Sequence, residues 1–278
     1  MSDRPQPCDR NFLEVLLKSR LLILAVVSLA LLVVAGPSQA ITSGERDNGA
    51  HPYVGFARNL QFSCSATAVS PRLVVTAAHC FTFPTDTAWV NFDENFRTNP
   101  FPSSSFHKGT WHADPQFCTA CKSGLVGFDT HDLAVIVLDE PVTLSSYGAL
   151  PSAGLLDRLG KGTEITSVGY GIQELIPSPG GKALFRDGFR MRAQSVVVSD
   201  ENRLADEFVK LSAKPTGDNG GTCFGDSGGP NFLSGTNIVL GVNSFVTNGN
   251  CSGVTYSYRT DTASARAFLA PWLAQYGR

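Results

Sequence analysis

Short apolar segments recur along the chain at 52–57, 66–69, 73–77, 88–92, 133–138, 164–168, 194–198, 238–246 and 254–258. Turn-forming residues separate them, and runs of this length bounded by such residues read as β-strands. No long amphipathic helical pattern lies between them, so the pattern predicts an all-β barrel or sandwich rather than alternating βαβ units. The stretch 141–159, PVTLSSYGALPSAGLLDRL, is turn-rich and poor in β-branched residues, which marks it as a connection between two halves. A boundary near Pro151 gives 41–150 and 151–278. One helix is expected at 261–276, with Asp261 as N-cap and Phe268, Leu269, Trp272, Leu273 and Tyr276 at helical spacing. Pro271 is expected to bend or interrupt it.

The N-terminal 40 residues follow a different pattern. An apolar run over 21–35 comes after Lys18 and Arg20 and ends at Gly36-Pro37-Ser38-Gln39-Ala40, with small residues at 38 and 40. This is the layout of a secretory signal peptide cut after Ala40. The alternative is a membrane anchor over 21–36, but the run is shorter than the ~20 apolar residues that a spanning helix needs. The expected product is secreted and has no membrane segment in its mature form. Export also changes the meaning of the cysteines. Of seven, Cys8 leaves with the signal, and Cys64, Cys80, Cys118, Cys121, Cys223 and Cys251 remain, an even set that reads as disulfides. With 22 basic against 24 acidic side chains and a net charge of -2, the chain has no electrostatic footprint for nucleic acid.

The run with most chemistry is Gly225-Asp226-Ser227-Gly228-Gly229, where flanking glycines let the backbone approach a substrate and leave a hydroxyl exposed. A serine becomes a useful nucleophile only beside a base that a third group orients. The G-x-S-x-G spacing alone also fits an α/β-hydrolase, whose histidine comes after its serine. The five histidines are His51, His79, His107, His112 and His131, so none lies beyond Ser227 and that order is excluded. The opposite order is available, with His79 in Val75-Thr76-Ala77-Ala78-His79-Cys80 and Asp132 leading Asp132-Leu133-Ala134-Val135.

The segments TAAHC, HDLAV and CFGDSGGP, in that order, resemble the active-site signatures of the chymotrypsin and trypsin family of serine peptidases. Ile41-Thr42-Ser43-Gly44 resembles the family's mature N-terminus, and Gly169-Tyr170-Gly171 and Ser244 fall where it has matching elements, so the resemblance spans nearly all of 41–278. It implies two six-stranded antiparallel Greek-key barrels, a short C-terminal helix and an active site in the cleft between the barrels. It further implies a triad of His79, Asp132 and Ser227, with backbone N–H groups of Gly225 and Ser227 as the oxyanion hole. An activation pair would join the Ile41 ammonium to Asp226.

A substrate pocket would be shaped by Gly221, Ser244, Phe245 and Val246. Gly221 stands where trypsin-like members carry an aspartate, and Val246 where the family often has glycine, so cleavage after arginine or lysine is not expected. By the same resemblance Cys64 pairs with Cys80, and Cys223 with Cys251. Cys118 and Cys121 have no family counterpart. They read as a small disulfide loop, or with His107 and His112 as a zinc site, and the first reading is preferred in an exported chain. The expected protein is a monomeric peptidase that acts on polypeptides and needs neither cofactor nor metal. A non-catalytic binding module on the same fold is the alternative.

Overall fold

The computed structural model describes residues 44–81, 86–118, 130–178, 181–199, 206–213 and 220–278. Fifteen strands occur among them. Seven belong to the first half: β1 (Glu45–Arg46), β2 (Val54–Arg58), β3 (Ser63–Ala68), β4 (Leu73–Thr76), β5 (Thr87–Asn91), β6 (Phe106–Ala113) and β7 (Ala134–Leu138). The second half holds β8 (Glu164–Gly169), β9 (Glu174–Ser178), β10 (Gly181–Phe185), β11 (Met191–Ser199), β12 (Phe208–Ala213), β13 (Pro230–Leu233), β14 (Val239–Val246) and β15 (Gly253–Arg259), and then helix α1 (Ala263–Tyr276). β2 to β7 close one antiparallel barrel in the order β2-β3-β4-β7-β6-β5. The second barrel runs β11-β12-β15-β14-β13-β8 and closes through β8 on β11, with β1 added at the outer side of β11. These are the two six-stranded barrels and C-terminal helix expected from the sequence, with β9 and β10 as an extra hairpin.

The strands at the heart of the first barrel are apolar throughout. β4 reads LVVT and β7 reads AVIVL, and every residue of both is buried. A fully buried Val, Leu or Ile side chain contributes roughly 1.5–3 kcal/mol, so this pair is held firmly. Its register is Leu73 opposite Val137 through Thr76 opposite Ala134. In an antiparallel pair the end of one strand meets the start of the other. The residues just after Thr76 and those just before Ala134 therefore emerge at the same edge.

The C-terminal helix buries Ala265 and Leu269 and packs Phe268, Trp272 and Leu273 on the cluster containing Leu73, Val75 and Val135. Two expectations about it are corrected. Thr262, not Asp261, is the N-cap, its side chain accepting from the Ala265 N–H at 3.2 Å. Asp261 instead accepts from the Leu156 N–H and pairs with Arg259, partners too distant or too local for helix spacing to reveal. Of the two effects expected of Pro271, interruption does not occur: the helix continues to Tyr276, because a proline removes only one donor and the last turn still closes from the Gly277 N–H to the Leu273 carbonyl. No helix among the described residues is long and apolar enough to cross a membrane. The 21–36 run lies outside the described residues.

Candidate active site

His79 sits in a short 3-10 turn (Ala78–Phe81) directly after β4, and Asp132 lies two residues ahead of β7, so the β4–β7 register brings them together. The His79 ring Nδ1 lies 2.8 Å from Asp132 Oδ2, and the His79 backbone N–H donates to Oδ1 at 2.9 Å. The Ser244 hydroxyl donates to Oδ2 as well. Burial pushes the Asp132 carboxyl up, but the His79 charge and these three hydrogen bonds outweigh it and hold the group below its ordinary value. Burial likewise pushes the His79 imidazole down, and the adjacent Asp132 carboxylate more than reverses this. With Nδ1–H donating to the carboxylate, Nε2 is the nitrogen left to accept a proton.

Ser227 reaches the same place from the second barrel, in the turn before β13. Its carbonyl accepts from the Ser65 N–H of β3 at 2.9 Å, and the Thr76 hydroxyl donates to the Ser65 carbonyl at 3.0 Å. The turn fits only because of its glycines. A Cβ on Gly228, whose φ is 72°, would lie 2.1 Å from Thr76 Oγ1, and one on Gly229 would lie 2.8 Å from the Val168 carbonyl. His79 and Ser227 line one cavity of about 310 Å³ with Phe224, Ser244, Phe245 and Val246.

Gly225 adopts φ 94°, and its carbonyl accepts from the Ser65 hydroxyl. Asp226 is wholly buried and accepts from the N–H groups of Gly171 at 2.8 Å and Cys223 at 2.9 Å. Gly169 and Gly171 leave room for it, since a Cβ on either would come within 2.4 Å of its carboxylate. Burial pushes Asp226 up to about 6 despite those two donors and the charge of Arg186. Ile41, the expected partner, lies outside the described residues. Of the expected pocket residues, Ser244, Phe245 and Val246 line the cavity, whereas Gly221 is buried and its neighbour Thr222 lines the wall.

The family model described as Trypsin matches residues 41–269. The chain belongs to the Trypsin family. Brachyurin of Leptuca pugilator is 26% identical to this trypsin-family chain over 217 residues, covering 76% of the chain and 86% of brachyurin. Solved structures share the fold at lower identity. A double mutant of human heparin binding protein has a TM-score of 0.63 at 18% identity, covering 84% of this chain and 96% of its own. HL collagenase has a TM-score of 0.61 at 19%, covering 82% and 94%.

The trypsin-family frame also locates features that the sequence left open. Two disulfides join described residues to each other, Cys64 to Cys80 with Cα atoms 6.1 Å apart and Cys223 to Cys251 at 5.2 Å, both as expected, and Cys118 is disulfide-bonded too. Cys121 lies outside the described residues. The zinc alternative loses its histidines, because His107 and His112 stand five residues apart on β6 and face opposite ways. His107 meets Phe92, and His112 stacks on Trp272 at 4.5 Å. Ser244, expected only as a pocket residue, has a second role. The β14–β15 register shifts between Asn243 and Phe245, and such a bulge re-aims the side chain it displaces, here toward Asp132.

Proposed function

We propose that this trypsin-family protein is a secreted serine endopeptidase that cleaves peptide bonds through an acyl-enzyme. The observation that supports it best is the His79 ring, anchored by Asp132 through Nδ1 and sharing a cavity with the Ser227 hydroxyl. In this reading Ser227 Oγ attacks the scissile carbonyl carbon while His79 Nε2 takes its proton. Asp132 stabilises the resulting imidazolium. The carbonyl oxygen becomes an oxyanion held by the backbone N–H groups of Gly225 and Ser227, and losing one such donor typically costs roughly 3 kcal/mol of barrier. Collapse breaks the C–N bond, and His79 returns the proton to the leaving amine. Water then enters by the same base and releases the acid.

Val246 narrows a cavity with no fixed anion among its lining residues, which favours small or medium apolar side chains over lysine, arginine and large aromatics. Residues 1–40 act as signal, and the cut after Ala40 frees Ile41 to pair with Asp226. The mature enzyme acts as a monomer without cofactor or metal. Two measurements on purified protein starting at Ile41 test this reading: labelling by an active-site phosphonate and turnover of a peptide library. Ser227→Ala is expected to fold, to escape labelling and to lose more than about 10³-fold in kcat/KM. Comparable turnover in Ser227→Ala would sink the assignment.

A further inference from the structure

Several arginines of this protein face a carboxylate: Arg46 meets Asp187, Arg190 meets Asp47 and Glu94, Arg192 meets Glu45, and Arg259 meets Asp157 and Asp261. Arg58, Arg97 and Arg186 differ. They line two adjoining cavities of about 410 and 550 Å³, and among the described residues neither cavity has an aspartate or glutamate in its wall. Arg97 and Arg186 are shared by both. Their guanidinium groups rest on aromatic faces instead. Arg58 lies 4.3 Å from the Phe101 ring centre, Arg97 lies 5.9 Å from Phe96, and Arg186 lies 5.1 Å from Phe96 and 5.4 Å from Phe56.

These cations are held in place rather than left free. The Phe96 N–H donates to the Gly188 carbonyl at 3.1 Å, tying the Arg97 segment to the Arg186 segment. Gly188 has φ 94°, and its missing side chain is replaced by the Arg97 stem, 2.7 Å from where a Cβ would stand. Arg186 Nη1 donates to the Tyr170 carbonyl at 3.4 Å and lies 3.3 Å from where a Cβ on Gly225 would stand. Burial first, and then the charge of Arg97, push the Arg186 guanidinium below its ordinary value, with only Asp226 pulling the other way. Two guanidinium groups held together at a groove lined by no carboxylate among the described residues favour an anion there.

Its position says which part of a substrate carries that anion. Phe224 is exposed and separates the two sides: it lines the Ser227 cavity with Val246 on one side and the arginine groove with Gly225 on the other. A peptide that fills the Ser227 cavity with an acyl-side residue leaves across Gly225 toward Ser63 and Arg186. We propose that the Arg97–Arg186 groove is the leaving-group subsite of this enzyme and selects substrates with an aspartate or glutamate within the first three residues after the scissile bond. The assignment rests on the peptidase reading above. Carboxylate recognition by paired guanidinium groups supplies its specificity, because a fork of N–H donors matches the two oxygens.

The test uses amide-capped peptides with a fixed acyl side and Asp, Asn or Lys at each of the three positions in turn, so that a side-chain carboxylate is the only anion varied. For protein starting at Ile41, kcat/KM at the best position is expected to favour Asp over Asn by about fivefold or more, with Lys worse still. Arg97→Gln, at an exposed side chain, should collapse the Asp-to-Asn ratio toward one, and Arg97→Glu should invert it. The same peptides are titrated onto Ser227→Ala protein, where the Asp-to-Asn ratio of Kd needs no turnover. A ratio near one in both assays overturns the inference, as does a ratio that survives Arg97→Gln and Arg186→Gln together. Turnover without acid preference removes only the subsite. Acid-selective binding in a protein that cleaves nothing keeps the subsite and removes the peptidase reading.

Discussion

Asp226 allows the proposed activation pair to be tested as a stability measurement. Its carboxyl is wholly buried and accepts two backbone N–H bonds, yet it is pushed from 3.8 up to about 6. In the uncut chain Ile41 carries a peptide bond, and no terminal ammonium exists there to neutralise it. The proton that Asp226 retains between those two values corresponds to about 3 kcal/mol. The folded pKa lies above the unfolded one, so folded protein binds the extra proton in that window. Stability is therefore full below pH 3.8 and declines as the pH rises through about 6. Protein with one residue added ahead of Ile41 should show this decline. Protein starting at Ile41 should not, because its ammonium pairs with the carboxylate and keeps it charged at both pH values. Urea unfolding of the two proteins at pH 4, 5, 6 and 7 is expected to show their difference in unfolding free energy widening by about 2 kcal/mol, most of the full-window value. The extended protein should also react slowly with the phosphonate, its oxyanion site being unorganised. Parallel stability profiles, or full reactivity in the extended protein, would refute the pairing of Ile41 with Asp226.

Further expectations concern other parts of the molecule. Since Asp132 holds the His79 imidazole above its ordinary 6.5, kcat/KM should climb with pH through a midpoint above 6.5, and a midpoint below it would contradict the geometry. Arg190→Met should lower the unfolding free energy by about 3 kcal/mol at neutral pH, because it leaves the buried Asp47 carboxylate with His51 alone; a loss under about 1 kcal/mol would mean that His51 suffices to hold it. Val246→Gly should open the 310 Å³ cavity and shift preference in a peptide library toward large aromatic residues, and an unchanged profile would place the specificity wall elsewhere.

Much of the fold was legible where strands were apolar on both faces. β4 and β7 are buried at every position, so their residues read directly as strand, and with them the setting of His79 and Asp132. β6 is harder to read: FHKGTWHA places His107, Lys108 and Gly109 in one half-exposed strand with no clean alternation. β13 begins at Pro230, immediately after a glycine-rich turn that masks it. At the site, His79, Asp132 and Ser227 could be singled out because each lies in a distinctive local run and their chain order excluded the other hydrolase arrangement. The bond from Ser244 to Asp132 depends on a register shift between two strands, which a single sequence does not carry. Arg58, Arg97 and Arg186 are remote from one another in the chain, and only folding collects them around one groove.

The buried arginine of the second barrel has a consequence for survival in solution. Arg190 donates to Asp47, to the carbonyls of Val54 and Phe92, to Tyr170 and to Glu94, so one side chain ties together segments on both sides of the interface between the barrels. Neither barrel can fray alone without leaving ionised groups dehydrated and unmatched, which disfavours partly open forms in which one barrel is loose and the other intact. Those forms are the ones a peptidase could cut, since cleavage of a native chain proceeds through local opening. A chain lasts among peptidases only as long as such openings are rare, and the arginine that cross-links the two barrels here is expected to keep them rare.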